Sequence, residues 1–195
     1  MRTKKLFVQE TVIQSERLLL RNITTEDLDE LLTMYSNDKM FTYRPGMARK
    51  NMEAIQKLFD TMQQEYETRE RLYLGICFSN NPKKLVGVAE IYDLDSRIEI
   101  ANIGYSVDEN YWGQGVATET VHIMIEYLFD VIEVNRIQAH AMPENVPSNR
   151  VLANNGMQKE GLLRQAVFWN GKGIVDVNQY AILKEDWEKR KTEKL

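Results

Sequence analysis

Cysteine is nearly missing from this sequence: Cys77 is the only one in 195 residues. One thiol cannot close an internal disulfide, so the fold is expected to rest on its own core. Histidine is almost as scarce, with only His122 and His140, and no Cys/His spacing of a zinc site is present. No metal is expected. No apolar run approaches the roughly 18 residues of a membrane helix, and Met-Arg-Thr-Lys-Lys leads into no signal-peptide core. A soluble, cytoplasmic protein with no membrane partner is the expectation. Neither sign of charge dominates: 25 Lys+Arg face 29 Asp+Glu, for a net charge of -4. That balance argues against wholesale binding to nucleic acid. Internal repeats, low-complexity tracts and interdomain linkers are also missing. The length fits one domain over residues 1–195, with a core at about 16–184, an N-terminal arm at 1–15 and a charged tail at 184–195. Such a domain is expected as a monomer or homodimer.

What is present is a mixture of short strands and amphipathic helices. Arg17 to Ile23 reads as a strand, and Thr24-Thr25-Glu26-Asp27 as the start of a helix with Leu28, Leu31, Leu32, Met34 and Tyr35 inward. After Pro45-Gly46, a second helix carries Met52, Ile55, Leu58, Phe59 and Met62 at helical spacing. Leu72 to Phe78, Leu85 to Tyr92 and Arg97 to Val107 form an antiparallel meander, broken by turns at 80–83 and 93–96. A helix from about Ala117 to Val131 follows, then a strand at 135–142 and a helix at 147–155 closed by Gly156. Met157 to Phe168 and Ile174 to Leu183 are joined through Asn170-Gly171, a strong hairpin signal. The end from Lys184 reads as a charged, exposed helix. This order is α+β with one mixed sheet.

The stretch that organises the chain is Trp112-Gly113-Gln114-Gly115-Val116-Ala117-Thr118, set between a strand and a helix. Its glycines allow a tight turn, so that several N–H groups converge beside the free donors of the helix start. The loop contains no acidic side chain. Such a loop is an anion cradle, and a phosphorylated cofactor is its expected guest.

The same loop resembles the acetyl-CoA pyrophosphate loop of the GNAT N-acetyltransferases, with Gly115 and Ala117 at the pattern's later positions. Trp112 stands at its first position, where Gln or Arg is usual; an aromatic there resembles the RimJ/RimL-like branch of ribosomal-protein acetyltransferases. The likeness spans about residues 16–184. It includes Glu16-Arg-Leu-Leu-Leu-Arg21, Asn145-Val-Pro-Ser-Asn-Arg-Val-Leu152, Gly156-Met157, Glu160-Gly161 and the run from Asn170-Gly171 through Asp176 to Tyr180-Ala181.

The resemblance implies a GNAT fold: a single mixed, mostly antiparallel sheet splayed at its centre, with helices on both faces. It implies acetyl-CoA as co-substrate and a primary amine as acceptor, whether a ribosomal or other protein N-terminus or a small amine or antibiotic. Pantetheine would lie between the strand ending at Val107 and the strand 135–142, on backbone amides near Ser106 and Val107. The pyrophosphate would sit on Gly113 to Thr118, that is Gly113, Gln114, Gly115, Val116, Ala117 and Thr118, beside Trp112. Asn145 and Asn149 are further cofactor contacts, with Asn145 orienting cofactor or amine and Ser148 donating a proton to the leaving thiolate. Helix capping is the competing role for Asn145 and Ser148.

The tyrosine acid of other GNAT branches is replaced here by Leu152, and Val167 stands where some RimL-like members carry a carboxylate. Glu90 is the candidate base. Glu99 and Asn102 are its neighbours on strands, and period-two alternation alone does not fix which face meets the amine. A water-relayed base, or capture of the neutral amine, stays open. His122 is expected in exposed polar contacts, and His140 beside the cleft.

Two other readings compete. A Rossmann site would use Gly113, Gly115 and Glu133, but its third glycine is missing and the loop follows an antiparallel meander. A GNAT-like domain that binds CoA without transferring acetyl, as a sensor, is the alternative within the same fold.

Overall fold

The apolar runs become eight strands: β1 (Val12–Gln14), β2 (Leu18–Asn22), β3 (Arg71–Phe78), β4 (Asn81–Asp95), β5 (Ile100–Val107), β6 (Arg136–Ala141), β7 (Gln158–Trp169) and β8 (Gly173–Leu183). The amphipathic segments become α1 (Leu28–Tyr35), α2 (Met52–Glu67), α3 (Val116–Tyr127), α4 (Val146–Asn154) and α5 (Lys184–Glu193). The computed structural model describes residues 2, 5–7, 11–169 and 171–193. Asn170, expected in the final hairpin turn, lies outside them.

The strands form one sheet in the order β1-β2-β3-β4-β5-β6-β8-β7. Every neighbouring pair is antiparallel except β5 with β6. That parallel pair lasts only three registers, Ile100 with Arg136, Ala101 with Ile137 and Asn102 with Gln138. Beyond Asn102 the two strands part, which is the splay expected from the family resemblance.

Helices cover both faces. Leu18 and Leu20 of β2 and Leu72, Leu74 and Ile76 of β3 pack with Val121, Met124 and Ile125 of α3 and with Leu152 of α4. On the opposite face Leu31, Met34 and Tyr35 of α1 meet Ile55, Phe59 and Met62 of α2 over Cys77 and Val88. A fully buried leucine or isoleucine contributes about 1.5–3 kcal/mol relative to exposure, so these two stripes hold the helices to the sheet.

Local chemistry sets the boundaries. Asn51 caps α2 by accepting from the Ala54 N–H at 2.9 Å. Ahead of α1, Asp27 is 1% exposed and binds Arg21 through both carboxylate oxygens, at 2.6 and 2.8 Å. The same side chain accepts from the Thr24 N–H at 2.8 Å, so one carboxylate caps the turn and ties it to β2.

Several expectations are corrected. The N-terminal arm, which shows no clear period in sequence, contributes β1, since Val12–Gln14 pairs with β2, and Leu6 within it is fully buried. The first hairpin turn is shorter than 80–83, since β4 begins at Asn81. The second turn sits at 96–99, because β4 runs on to Asp95 and Glu99 adopts φ +53°. Glu99 is therefore in a turn and not on a strand. The central helix leaves α geometry early, ending in a π-helical turn at Leu128–Ile132 that closes on Glu133 with φ +61°. The last helix is not simply exposed: Trp187, 5% exposed, packs against Phe129 and His122 at ring distances of 6.2 and 5.6 Å. His122 is thus a packing residue.

Replacing Asp27 by alanine strands a partly buried guanidinium and uncaps the turn. A loss of about 3 kcal/mol in urea unfolding is expected, in the range for breaking a buried ion pair. A loss under about 0.5 kcal/mol, typical of a surface pair, would contradict this account.

Candidate active site

The glycine loop takes its shape from both ends. At the β5 end, the Trp112 indole donates its Nε1–H to the Val107 carbonyl at 2.7 Å and leaves half of the side chain exposed. Asp108 Oδ1 accepts from the Asn110 N–H at 2.8 Å, and Gln114 Nε2 donates to the Asn110 carbonyl at 2.9 Å. At the helix end, Gly113 and Gly115 have φ of +73° and +78°, a region that side chains disfavour. Arg17 fastens the loop to β2, donating from Nη1 to the Gln114 carbonyl at 3.1 Å and from Nε to Glu119 at 2.7 Å. Ser15 also donates to Glu119, at 2.6 Å, so the acidic side chain in the first turn of α3 is already occupied.

The amides are not. Trp112 N–H bonds the Glu109 carbonyl and Glu119 N–H bonds the Gly115 carbonyl, and between them the N–H groups of residues 113–118 meet no acceptor among the described residues. Six consecutive donors thus converge at the positive end of a twelve-residue helix.

A cleft of about 760 Å³ runs from this loop along the end of β5, between that strand and the start of α4. The main chain of the loop forms its mouth, with Trp112, Gly113, Gly115, Val116, Ala117 and Thr118 on the wall. Tyr105, Ser106 and Val107 line one side and Asn145, Pro147 and Ser148 the other, and Lys39, Met40, Thr42, Tyr43 and Arg44 complete the wall. The β5 amides are divided by the antiparallel ladder. Asp108 N–H bonds the Val86 carbonyl at 2.9 Å, and the register pairs Ser106 with Val88 and Gly104 with Glu90. Alternation then turns the backbone of Ser106 toward β4 and the backbones of Tyr105 and Val107 toward the gap. The donors available there are Tyr105 and Val107. The Ser106 hydroxyl is itself buried without a hydrogen bond.

Opposite β5, the start of α4 brings in polar side chains. Asn145 Oδ1 accepts from the Ser148 N–H at 3.2 Å, so it caps the helix as well as lining the cleft. The Ser148 hydroxyl lies 2.9 Å from the Tyr105 hydroxyl. Burial pushes the Tyr105 pKa up to about 12, outweighing the contact with Ser148, and keeps the phenol protonated at neutral pH. Tyr105 escaped the sequence reading because its neighbour Ser148 is 43 residues away. Its only signal was a tyrosine alternating with glycine and serine on the strand before the loop. Leu152, in the place of the usual tyrosine, is fully buried.

Three expected site residues stand elsewhere. Asn149 does not line the cleft. Its Nδ2 donates to the carbonyls of Met142 and Asn145 at 2.9 and 2.7 Å, and its Oδ1 accepts from Asn178 and Tyr180 at 2.8 and 2.9 Å. These bonds occupy the whole amide in joining α4 to β8. The Gln114 side chain is turned back onto the loop, leaving only its main chain at the mouth. Glu90 is buried between Arg44, at 2.8 Å, and Arg71, at 2.6 Å. Burial raises its pKa, but the charges and hydrogen bonds of the two arginines outweigh that and hold it below the ordinary glutamate value. A carboxylate with both oxygens engaged and a lowered pKa is a poor base for an ammonium group. His140 is exposed on β6, with Ala139 and Ala141 facing inward. Among the described residues, no three His, Cys, Asp or Glu side chains come together as a metal site, and no helix is long and apolar enough to cross a membrane.

Comparison with known proteins gives concordant results. The profile of the acetyltransferase (GNAT) domain matches residues 17–158. The uncharacterized N-acetyltransferase YoaA of Bacillus subtilis is 32% identical over 176 residues, covering 89% of this chain and 97% of YoaA. The ribosomal-protein-serine acetyltransferase of Escherichia coli is 26% identical, covering 88% of this chain and 96% of its own. In fold, the chain is similar to Mycobacterium smegmatis RimJ in complex with CoA-disulfide, with a TM-score of 0.79 and 22% identity over 91% of this chain and 88% of RimJ.

Because the Glu90 pKa is depressed on folding, its ion pairs stabilise fully above the ordinary glutamate value of 4.5 and weaken as pH falls through the lower folded value. Glu90→Gln is expected to lower stability at pH 7 by about 3 kcal/mol and to flatten the fall in stability below pH 5. Parallel wild-type and variant curves in urea titrations between pH 7 and pH 3 would refute the assignment.

Proposed function

The chain belongs to the GNAT family of acetyltransferases, and we propose that it transfers the acetyl group of acetyl-CoA to a primary amine by direct attack. The observation that carries this reading is the run of six unpaired amides opening onto a cleft that continues along β5 past the point where its pairing with β6 stops. A diphosphate fits the first feature, because main-chain donors and a helix N-terminus bind oxyanions without a metal. An extended amide-bearing chain fits the second, because the backbones of Tyr105 and Val107 point into the gap as an unfilled strand edge does. RimJ in complex with CoA-disulfide supports the choice of coenzyme. The ribosomal-protein-serine acetyltransferase supports an amine acceptor, of which protein N-termini and small amines are both suitable classes.

Acetyl-CoA supplies a thioester whose carbonyl carbon the amine attacks, forming C–N as C–S breaks. The chain's own residues align and stabilise. The Gly113–Thr118 amides and Trp112 hold the coenzyme's diphosphate end, and the Tyr105 and Val107 amides hold its arm and polarise the carbonyl. Ser148 donates a proton to the departing sulfur and takes one from Tyr105, whose raised pKa keeps the phenol protonated beforehand and draws a proton back from water afterwards. The amine arrives neutral and loses its second proton to water. With Glu90 locked between two arginines, no carboxylate base is invoked.

Release of free thiol from acetyl-CoA across a panel of primary amines tests the reading. Tight binding of the coenzyme with no turnover of any amine would instead favour a sensor. Gly115→Val forces a β-branched residue into φ +78° and puts a Cβ 3.5 Å from Arg17 Nη2. Its acetyl-CoA KM is expected to rise about tenfold or more, the worth of one charge-assisted hydrogen bond; an unchanged KM would refute the loop assignment. Tyr105→Phe and Ser148→Ala are each expected to lower kcat by about a hundredfold, in the range for a lost general acid, with little change in acetyl-CoA KM. Wild-type kcat should show no alkaline fall below pH 10, since Tyr105 titrates near 12; a fall near pH 8 would exclude it as the proton source.

A further inference from the structure

Around Arg44, which lines the cleft, guanidiniums outnumber carboxylates. Arg44, Arg49 and Arg71 gather around Tyr35 and Glu90, with the guanidinium carbons of Arg44 and Arg49 4.8 and 5.8 Å from the Tyr35 ring centre. Glu90 pairs with Arg44 and Arg71, and Glu65 lies 3.6 Å from Arg71. Arg49 has no carboxylate within 4 Å among the described residues; its side chain reaches only the Met47 carbonyl, at 3.4 Å. Three guanidiniums therefore share two carboxylates. The half-buried Arg49 is left without a carboxylate partner.

The donors there are also incompletely used. Arg44 lines the cleft, with its side chain 18% exposed, and gives only Nη2 to Glu90. Its Nε and Nη1 meet no acceptor among the described residues. The Tyr35 hydroxyl, fully buried beside it, has no hydrogen bond of regular geometry, and the Arg44 guanidinium acts on it, pulling its pKa down against the larger rise from burial. A guanidinium fixed on one side by a carboxylate and backed by an aromatic ring is pre-set to bind a second carboxylate on its other side.

We propose that the acceptor carries a carboxylate close to its amine, and that Arg44 binds that carboxylate while Arg49 supplies the surplus positive potential. The proposal rests on the acetyl-transfer reading above. Binding of the anion neutralises that surplus and leaves the amine pointing back along the cleft toward Ser148. This gives Glu90 its function: it positions Arg44. The same chemistry is offered by the carboxylate of a free amino acid and by an acidic side chain at a peptide N-terminus.

The test is kcat/KM for matched acceptors that differ only in carboxylate against carboxamide: amino acids against their amides, and peptide amides beginning with Asp or Glu against Asn or Gln. The acidic member of at least one set is expected to be preferred about tenfold or more, as for hydrogen bonds to a charged group. Which set responds identifies the source of the carboxylate. In Arg44→Met the preference is expected to collapse toward one while acetyl-CoA KM stays at the wild-type value, and Arg44→Lys should restore part of it. Should Arg44→Met fail to fold, Arg49→Met is expected to weaken the same ratio. Equal rates within every set, or a preference that survives Arg44→Met, overturns this inference alone. Coenzyme binding without transfer to any amine overturns the acetyl-transfer reading and this one with it.

Discussion

Three registers of parallel pairing between β5 and β6, and no more, is the constraint on which the rest depends. A full ladder would satisfy the inner edges of both strands and leave no room between them. By stopping at Asn102, the sheet leaves the backbone of β5 at Tyr105 and Val107 facing a gap. Two features hold that opening. The turn at 96–99 ties the strands at their paired end, where the Glu99 carbonyl accepts from Asn135 and Arg136 at 2.8 and 3.2 Å. At the other end, α4 is bound to β8 through Asn149, so the wall opposite β5 is held by four hydrogen bonds of one side chain. An unsatisfied buried amide costs about 1–3 kcal/mol, which is why Asn149 serves the frame better than it would serve a ligand.

Two parts of the cleft are electrically alike and chemically different. At the loop, the positive potential comes from main-chain dipoles, and Arg17 beside it is paired with Glu119. Around Arg44 it comes from guanidiniums whose number exceeds that of their carboxylates. Dipoles suit a group that every turnover delivers in the same pose. Side-chain charge with spare donors suits a partner to be selected.

Much of this was legible in the sequence. Gly113 and Gly115 ahead of a helical pattern marked the loop whose amides stay unpaired at the start of α3, and turn chemistry gave the meander. What stayed hidden was pairing across long separations. Glu90 looked like a free strand carboxylate because Arg44 and Arg71, its partners, lie 46 and 19 residues away. Tyr105 was unreadable for the same reason, and because both faces of a central strand are covered, period-two alternation does not say which face meets the ligand. Asn149 fitted the polar start of a helix, and only the packing of β8 revealed its four bonds. The tail read as solvated because nine of its ten helical residues are polar or charged, and the tenth, Trp187, is the one that docks.

Of the three tryptophans, Trp169 and Trp187 are 6% and 5% exposed, whereas Trp112 is 50% exposed at the mouth of the cleft. Its indole is pinned by the Val107 carbonyl, so the ring cannot swing away from whatever enters. The molecule thus carries a built-in optical reporter: red-shifted emission from one fixed, wetted indole against a blue background from two dry ones, shifting as water is displaced from the entrance.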